Sequence, residues 1–333
     1  MAPRNPIADH LPRDLYVEVT NRCNSRCETC IRTFEQLEPL RDLKLVEFQA
    51  IVDQFVTLDR IVLHGIGEPL LNADLVPMIR YVKGRHPTAT ALFNSNAILL
   101  DQSWQRDLID AGLDQYRVSL DAATAATYSR IRGINAFDRV VDNVRRFADL
   151  LGDAQRPRLS IWIMAMRANL DELPDLVDLA AEVGVPEVYV QRLVLFDQGL
   201  AHADQSLHGQ LRAQEESALT EATRRAAAHG LVFRASGLTS PQESLSGHNT
   251  DSRPYSACYR MWTTTYITAN GNVLPCCISP FSTTDYAGLV LGNVFQSSMA
   301  EIWNGERYVA RRSALYTADP LHPCERCGVG WAL

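Results

Sequence analysis

Short apolar runs alternate with amphipathic segments over the first two thirds of the chain. Six runs rich in apolar, aromatic and β-branched residues predict strands: Leu15–Thr20, Arg60–His64, Thr88–Asn94, Gln115–Leu120, Arg158–Met166 and Glu187–Gln191. Between them, four segments have apolar residues at helical spacing: Leu45–Leu58, Asp74–His86, Phe137–Leu151 and Leu170–Glu182. This alternation predicts βα units around a parallel sheet, as a wound sheet or a partial β/α barrel.

The rest of the chain has a different pattern. A polar helical stretch over about 205–229 is followed by a segment rich in Ser, Gly and Pro over 236–254, which is typical of a linker. Five of the eight cysteines follow this segment. We therefore expect a barrel-like core domain over residues 1–235, a linker over 236–254 and a smaller α+β domain over 255–333.

Composition and charge exclude several classes of protein. With 333 residues, 46% hydrophobic and 21% charged, the chain has an ordinary globular composition. The net charge of −7 argues against a nucleic-acid partner, which needs a basic surface. The apolar runs are too short to cross a bilayer and the first residues lack an apolar signal core, so we expect no membrane partner and a cytoplasmic location. In such a reducing compartment, clustered cysteines hold metal more often than they form disulfides.

Three cysteines lie in one loop directly after the first predicted strand. Cys23, Cys27 and Cys30 have the spacing C-x3-C-x2-C. A structural zinc site closes with four protein ligands and a fully ligated iron–sulfur cluster uses four cysteines, so three cysteines imply an open coordination position. The alternatives are a zinc knuckle completed by a distant ligand, or three thiols without a function.

This loop resembles the defining motif of the radical S-adenosylmethionine (SAM) superfamily. The resemblance implies a partial (β/α)6 barrel of the radical SAM type, in which Cys23, Cys27 and Cys30 bind three irons of a [4Fe-4S] cluster and SAM chelates the fourth. It also implies that the reduced cluster cleaves SAM to a 5′-deoxyadenosyl radical, which removes hydrogen from a substrate carbon. An electron donor such as flavodoxin or ferredoxin is then expected as a partner. Thr29 stands where the family commonly has an aromatic residue before the last cysteine.

The second predicted strand leads into Gly67-Glu68-Pro69. These residues resemble the Gly-Glu-Pro motif of the family, which binds the amino group of SAM. A rival interpretation is a dinucleotide-binding fingerprint that begins at Gly65-x-Gly67. The fingerprint is disfavoured because Leu70 occupies the position of its third glycine and Pro69 lies inside the loop.

Further cofactor-binding candidates lie at or beyond the carboxyl ends of later strands, where barrel enzymes have their active sites: Asn94, Ser119, Asp121, Arg130, Arg132, Arg167 and Arg192. Asn94 resembles the end of the third strand in the family, and Ser119 and Asp121 resemble the end of the fourth, which meets the ribose. The arginines after the fourth strand resemble a stretch that pairs with the SAM carboxylate, and the sequence does not separate Arg130 from Arg132. The last two arginines are candidates for carboxylate or substrate contacts, or are solvated surface residues.

The second set of cysteines comprises Cys258, Cys276, Cys277, Cys324 and Cys327. With Gly271, the first two complete a C-x12-G-x4-C pattern. This pattern resembles the opening of the SPASM and twitch extensions of radical SAM enzymes. The resemblance implies one auxiliary [4Fe-4S] cluster with ligands Cys258, Cys276, Cys324 and Cys327. The alternative is a four-cysteine zinc ribbon.

Cys277 is left over from this ligand set. It is a spare thiol, or it exchanges with Cys276 as a ligand. A third hypothesis makes it a catalytic residue that donates a hydrogen atom to a substrate radical, as a cysteine does in radical SAM epimerases.

These features favour a radical SAM oxidoreductase or epimerase. We expect it to dehydrogenate or epimerise a small polar molecule: a sugar, an aminocyclitol or an aminoglycoside. Only 22 residues precede Cys23, which we take to leave no room for a leader-peptide recognition domain. The first alternative is modification of a peptide or protein, as in the maturation of ribosomal peptides or sulfatases. The second is a non-catalytic, zinc-binding interaction protein.

Overall fold

A computed structural model describes residues 4–152, 158–237, 239–246, 254–282, 285–317, 319–321 and 324. In these residues the strands are β1 Asp14–Val17, β2 Arg60–Val62, β3 Thr90–Ser95, β4 Gln115–Ser119, β5 Arg158–Ala165, β6 Glu187–Arg192, β7 Val232–Ala235, β8 Thr264–Ile267, β9 Asn272–Leu274 and β10 Gly292–Asn293. The helices are α1 Leu45–Val52, α2 Leu75–Arg85, α3 Gln102–Asp110, α4 Ala125–Arg132, α5 Phe137–Leu151, α6 Leu173–Glu182, α7 Ala213–His229, α8 Pro241–Ser246, α9 Arg260–Thr263, α10 Met299–Trp303 and α11 Glu306–Ala314.

The strands of the described residues form one sheet in the order β10-β9-β8-β1-β2-β3-β4-β5-β6-β7. Every neighbouring pair from β1 to β7 is parallel, with helices in the connections, which confirms the predicted α/β fold. Apolar side chains of the helices, such as Phe48 and Phe147, pack on the outer face of these strands with Val17 and Val118 in one core. Covering helices are what allow a parallel sheet to be buried on that face.

The C-terminal region joins the same sheet. Strand β8 pairs in parallel with β1, in the register Tyr16↔Tyr266, and β9 and β10 follow antiparallel. The strand pair β8–β9, which ends two residues before Cys276, therefore lies beside the strand that leads into the first cysteine loop.

The inner face of the parallel strands is polar and aromatic. Along β4, Tyr116 and Val118 are buried in the outer core, whereas Arg117 and Ser119 are less buried. The Trp162 ring of β5 stacks on Tyr189 of β6 at a centroid distance of 4.0 Å. A polar and aromatic inner face is suited to line a binding site.

Several elements differ from the sequence prediction. Strand β7 and helices α3 and α4 were not predicted, although α3 is as long as the predicted helix α1 and clearly amphipathic. Helix α3 begins after Asp101, whose carboxylate accepts the Trp104 amide at 3.0 Å, and α4 ends at Gly133 in the left-handed conformation. Helix α8 lies inside the predicted linker 236–254, part of which is outside the described residues. Within the described ranges, no helix has the length and apolar content to cross a membrane.

Candidate functional site

The first cysteine loop follows β1 and folds back on itself. The Cys30 amide donates to the Cys27 carbonyl at 3.1 Å, and the Thr33 hydroxyl donates to the same carbonyl at 2.9 Å. None of the described cysteines forms a disulfide. The loop thus presents its thiols within a short, internally bonded turn.

The thiols of this loop lie within electrostatic reach of one another. Burial raises the pKa of Cys30 to about 12, and the negative charge of Cys27 raises it further. Burial, followed by the charge of Glu68, raises the pKa of Cys23 to about 11. The surroundings of these cysteines therefore disfavour the thiolate form, and bound iron cations would offset that cost.

The donor set of this loop suits a cubane cluster. In a cubane cluster each cysteine binds a different iron, so three thiols of one loop can hold three irons. Among the described residues, no three His, Cys, Asp or Glu side chains are grouped to hold a single metal ion.

Helix α4 holds the cysteine loop from one side. Its last carbonyls accept from the loop: the Arg26 amide donates to Arg132 O at 3.3 Å, and the Glu28 amide donates to Ile131 O at 2.9 Å. At Gly133, a Cβ atom would lie 2.3 Å from the Arg26 carbonyl, so no side chain fits there. The end of α4 and the loop are therefore in backbone contact.

The same helix places a cation beside one thiol. Arg132 Nη1 donates to Cys27 Sγ at 3.8 Å, and Nη2 pairs with Asp121 Oδ2 at 2.8 Å. Burial disfavours the charged guanidinium, but Asp121 and Cys27 outweigh it and raise the pKa of Arg132. Asp121 thus keeps the Arg132 guanidinium charged and holds it next to the cysteine loop.

Glu68 is buried within electrostatic reach of Cys23. Its carboxylate accepts from the Ser95 hydroxyl at 2.7 Å, the Asn96 amide at 2.7 Å and the Leu70 amide at 3.1 Å. Burial raises the pKa of Glu68, and these donors oppose the rise. A carboxylate has about four lone-pair sites. Glu68 therefore keeps acceptor capacity for one ammonium hydrogen.

The Gly67-Glu68 backbone lies against the chain that precedes Cys23. A Cβ atom at Gly67 would lie 2.1 Å from the Thr20 carbonyl, and the Glu68 amide donates to Arg22 O at 2.8 Å. Only glycine permits this approach. Glu68 and the cysteine loop are thus held in a set relation.

Two residues at the end of β3 have contacts that the sequence did not single out. Asn96 Nδ2 donates to Asn24 Oδ1 at 2.7 Å and lies 4.0 Å from Cys23 Sγ, while Ser95 bonds Glu68. The predicted residue, Asn94, instead donates its backbone amide to His64 Nδ1 at 3.1 Å. The polar residues 94–96 at the end of the strand indicated a contact with the site, but the sequence did not show which of them faces the cysteine loop.

The four predicted arginines separate into different environments. Arg132 reaches the cysteine loop, whereas Arg130 donates to the Ala168 carbonyl at 2.7 Å on the surface. Arg167 is paired with Glu215. Arg192 is buried and donates to a serine hydroxyl, and burial lowers its pKa to about 10. Cofactor contacts by the last two arginines stay predictions.

Cys258, Cys276 and Cys324 form a second group of thiols. Burial raises the pKa of Cys258, and the charge of Cys276 raises it further. Burial lowers the pKa of Arg311, while the charges of Cys324 and Cys276 oppose this, so both cysteines lie near that guanidinium. The fourth predicted ligand, Cys327, lies outside the described residues.

Cys277 is in a different environment from its neighbour. Arg260 Nη1 donates to its sulfur at 3.0 Å, and Tyr16 of β1 is a further hydrogen-bond partner. Burial raises the pKa of Cys277 and Arg260 opposes the rise. Cys277 is thus near the inner face of β1, whereas Cys276 is near Cys258.

Comparisons with known proteins identify two matching regions. Residues 17–180 match the Radical SAM superfamily, and residues 258–328 match SPASM, an iron–sulfur cluster-binding domain. These matches confirm the resemblance drawn from the two cysteine motifs.

Similar proteins include two curated enzymes. The PqqA peptide cyclase of Granulibacter bethesdensis is 24% identical over 324 residues, which cover 96% of this chain and 81% of the cyclase. A probable GTP 3′,8-cyclase of Saccharolobus islandicus is 28% identical over 207 residues, which cover 61% of this chain and 63% of that enzyme.

Among solved structures, Streptococcus suis SuiB has a similar fold. SuiB bound to S-adenosylmethionine has a TM-score of 0.71 at 17% identity, over 92% of this chain and 68% of SuiB. SuiB bound to its precursor peptide SuiA has a TM-score of 0.69 at 16% identity, over 97% of this chain and 71% of SuiB.

These comparisons correct the expected substrate and partner. We expected a small polar molecule: a sugar, an aminocyclitol or an aminoglycoside. That prediction is wrong, because the relative that aligns over 96% of the chain is a peptide cyclase and the similar fold of SuiB was solved with a precursor peptide. The error came from the 22 residues before Cys23, since the length of chain ahead of the motif does not decide which substrate enters the barrel.

Proposed function

We propose, from the premise that this chain belongs to the radical SAM superfamily and carries a SPASM domain, that it modifies a peptide at a carbon atom. As a radical SAM enzyme, it uses S-adenosylmethionine, a SAM-binding [4Fe-4S] cluster and an auxiliary iron–sulfur cluster in the SPASM domain. The observation that carries the proposal is the alignment of a peptide cyclase along almost the whole chain, through both domains.

The residues around the first cysteine loop fit the cofactors of this family. Cys23, Cys27 and Cys30 would hold the cluster, and Glu68 would accept the ammonium of SAM. When bound, the reduced cluster and SAM together supply a 5′-deoxyadenosyl radical that removes a hydrogen atom from carbon. Arg132 keeps a positive charge at Cys27, which stabilises that sulfur as a thiolate ligand.

The inner face of the sheet suits the handling of such a reactive group. Trp162 and Tyr189 stack face to face, and Tyr16 stacks on Tyr266 across the β1–β8 join. Aromatic side chains exclude water while their polar ends orient a substrate. This lining would protect a substrate radical from solvent.

The second group of thiols supports an oxidative outcome. Cys258, Cys276, Cys324 and Cys327 would hold the auxiliary cluster, beside the strand that pairs with β1. A cluster held there would supply the electron acceptor that such an oxidation needs, since the first hydrogen atom goes to the 5′-deoxyadenosyl radical and the substrate radical then loses a proton and an electron. Inversion at carbon would instead need a hydrogen-atom donor, and Cys277 beside Tyr16 is the candidate for that role.

The test uses anaerobically reconstituted enzyme with reductant, SAM and a translated library of short random peptides. We expect 5′-deoxyadenosine, together with peptides that have lost two hydrogens. In deuterated water, replacement of one carbon-bound hydrogen by one deuterium, with no net change in the number of hydrogens, would indicate inversion instead. The Cys30→Ala variant is the matched control and should form neither product.

The proposal fails if the intact enzyme cleaves SAM but leaves every peptide of the library unchanged. Failure of SAM cleavage itself, with iron and sulfide content shown to be complete, would contradict the radical SAM chemistry as well.

A further inference from the structure

Arg117 is an arginine of the inner face that forms no ion pair with any described residue. Its Nη2 donates to Gln115 Oε1 at 2.9 Å, and its guanidinium lies 4.2 Å from the centroid of the Trp162 ring. In the part of the chain that the structure describes, no carboxylate oxygen lies within 4.0 Å of it. By contrast, Arg60 pairs with Asp14 at 2.7 Å.

The neighbours of Arg117 show that it faces the interior of the curved sheet. It belongs to β4, yet it lies within electrostatic reach of Tyr16 on β1 and Tyr189 on β6. Adjacent strands are about 4.8 Å apart, so β1 is roughly 14 Å away when measured along the sheet. Side chains of both strands reach Arg117 because they point into the same concave space.

Arg117 also lies below the first cysteine loop. Asp121, four residues further along the chain, pairs with the arginine that contacts Cys27. Strand β4 ends at Ser119, so at about 3.3 Å for each extended residue Arg117 and Asp121 are at most about 13 Å apart. The register pairs Arg117 with Asn94, a predicted cofactor-binding residue. Arg117 therefore lies on the strand that leads to the cofactor-binding residues.

The electrostatics of this place favour an anion. Burial, together with the positive charge of Arg60, lowers the pKa of Arg117 to about 10, whereas Tyr16 and Glu187 oppose the shift. Glu187 does not satisfy Arg117, because it already pairs with Arg158 at 2.7 Å and Arg234 at 2.6 Å. A partly buried cation without a counter-ion is unfavourable, and a carboxylate would relieve this cost.

The donors of Arg117 match a carboxylate in shape. A guanidinium has five N–H donors in a planar fork, and the hydrogen bond to Gln115 uses one of them. The Trp162 ring lies over the guanidinium, 4.2 Å from its central carbon, and a stacked guanidinium can still make bidentate contacts through its edge. The geometry is that of a recognition site for a planar anion.

We propose that Arg117 binds a carboxylate of the peptide substrate at or next to the residue that is modified. This inference rests on the proposed peptide-modifying function. The carboxylate is the side chain of Asp or Glu, or the α-carboxylate of the peptide's last residue. Both sources present the same planar anion, and the experiment distinguishes them.

The test uses the same translated library, with free and amidated carboxyl termini in separate pools. Every peptide modified by the wild-type enzyme should carry an acidic residue near the modified carbon, or should require the free terminus. Replacing that Glu by Gln, that Asp by Asn, or amidating the terminus should raise KM by about 10-fold or more, as expected for a lost hydrogen bond to a charged group.

The enzyme variants complete a double-mutant cycle. Arg117→Gln should process acidic and amide peptides with equal KM, and Arg117→Lys should retain part of the preference. Arg234→Gln is the matched control, because Arg234 has a carboxylate partner inside the protein, and it should keep the full preference. Iron content and SAM cleavage without peptide report whether each variant is folded.

Two outcomes overturn the inference while the proposed function stands: modified peptides that need no carboxylate, or an Arg117→Gln enzyme that still prefers the acidic peptide. If Arg117→Gln does not fold, the acid and amide peptides compared on wild-type enzyme decide the matter. If wild-type enzyme modifies no peptide at all, the proposed function has failed and this inference fails with it.

Discussion

Tyr266 donates its hydroxyl to Glu18 Oε2 at 2.9 Å, across the join between the C-terminal region and the first strand. The same oxygen accepts the Ile66 amide at 2.9 Å, and the other carboxylate oxygen accepts the Ala269 amide at 3.3 Å. One buried carboxylate therefore links β1, the loop that leads to Glu68, and the end of β8. Glu18 was not among the residues predicted for the site, although it connects the regions of both cysteine groups.

We expect the stability of the protein to depend on pH because Glu18 is buried. Burial, with a further contribution from the charge of Glu38, raises the pKa of Glu18 to about 7, against about 4.5 when unfolded. Between these values the folded state binds more protons than the unfolded state, so the contribution of Glu18 to the free energy of unfolding falls as pH rises. The loss is roughly 3 kcal/mol in total, at 1.36 kcal/mol for each pKa unit.

Urea unfolding at about pH 4.5 and about pH 8 measures this contribution. We expect Glu18→Gln to be destabilised less than the wild-type enzyme over that interval, because the amide does not titrate. Equal losses in the two proteins would show that Glu18 does not contribute.

Gly67 predicts a steric requirement for cluster binding. In Gly67→Ala the new Cβ would lie 2.1 Å from the Thr20 carbonyl, so the backbone around the cysteine loop must shift. We expect iron content after anaerobic reconstitution to fall. Gly84→Ala is the control: no atom lies within 4 Å of its Cβ, and alanine in the α2 helix should stabilise the fold by about 1 kcal/mol. Full iron content in Gly67→Ala would contradict the contact.

We expect substitutions of Arg132 and Arg130, which lie on the same helix, to differ in their effects on stability and cluster retention. Arg132→Gln breaks a buried pair with Asp121 and should lower the free energy of unfolding by about 3 kcal/mol. It should also weaken cluster retention, because the cation at Cys27 is lost. Arg130→Gln removes one surface hydrogen bond to a carbonyl and should change stability by no more than about 0.5 kcal/mol. Denaturant unfolding and iron analysis of both variants check this, and similar effects in the two would refute it.

The parts of the fold that local patterns determine were predictable from the sequence. The six apolar runs became parallel strands, because burial by helices on one face selects such runs. The choice between Arg130 and Arg132 was not predictable. Residues two apart lie about 200° apart around a helix, but which side faces the cysteine loop depends on how α4 packs.

Contacts between distant parts of the chain were also hidden. The pairing of β8 with β1 joins residues far apart in sequence, and no local pattern specifies it. The role of Asn96 depends on how β3 ends relative to the cysteine loop. The substrate was mispredicted because motifs determine the cofactor chemistry, whereas the shape and charge of the barrel interior select what enters it.

Cys276 and Cys277 predict opposite results for the auxiliary cluster. Cys276 raises the pKa of Cys258 and lies near Arg311 with Cys324, whereas Cys277 bonds Arg260 beside Tyr16. We therefore expect Cys276→Ala to lose the auxiliary cluster, with iron falling from about eight to about four for each chain, as two cubane clusters imply. Cys277→Ala should keep the full iron and sulfide content, because the Cys277 sulfur is already bonded to Arg260 Nη1 at 3.0 Å. Iron and sulfide analysis, with electron paramagnetic resonance of the reduced enzyme, separates the two. Loss of iron in Cys277→Ala together with retention in Cys276→Ala would mean that the neighbours exchange roles, and the free thiol at the inner face would then be Cys276.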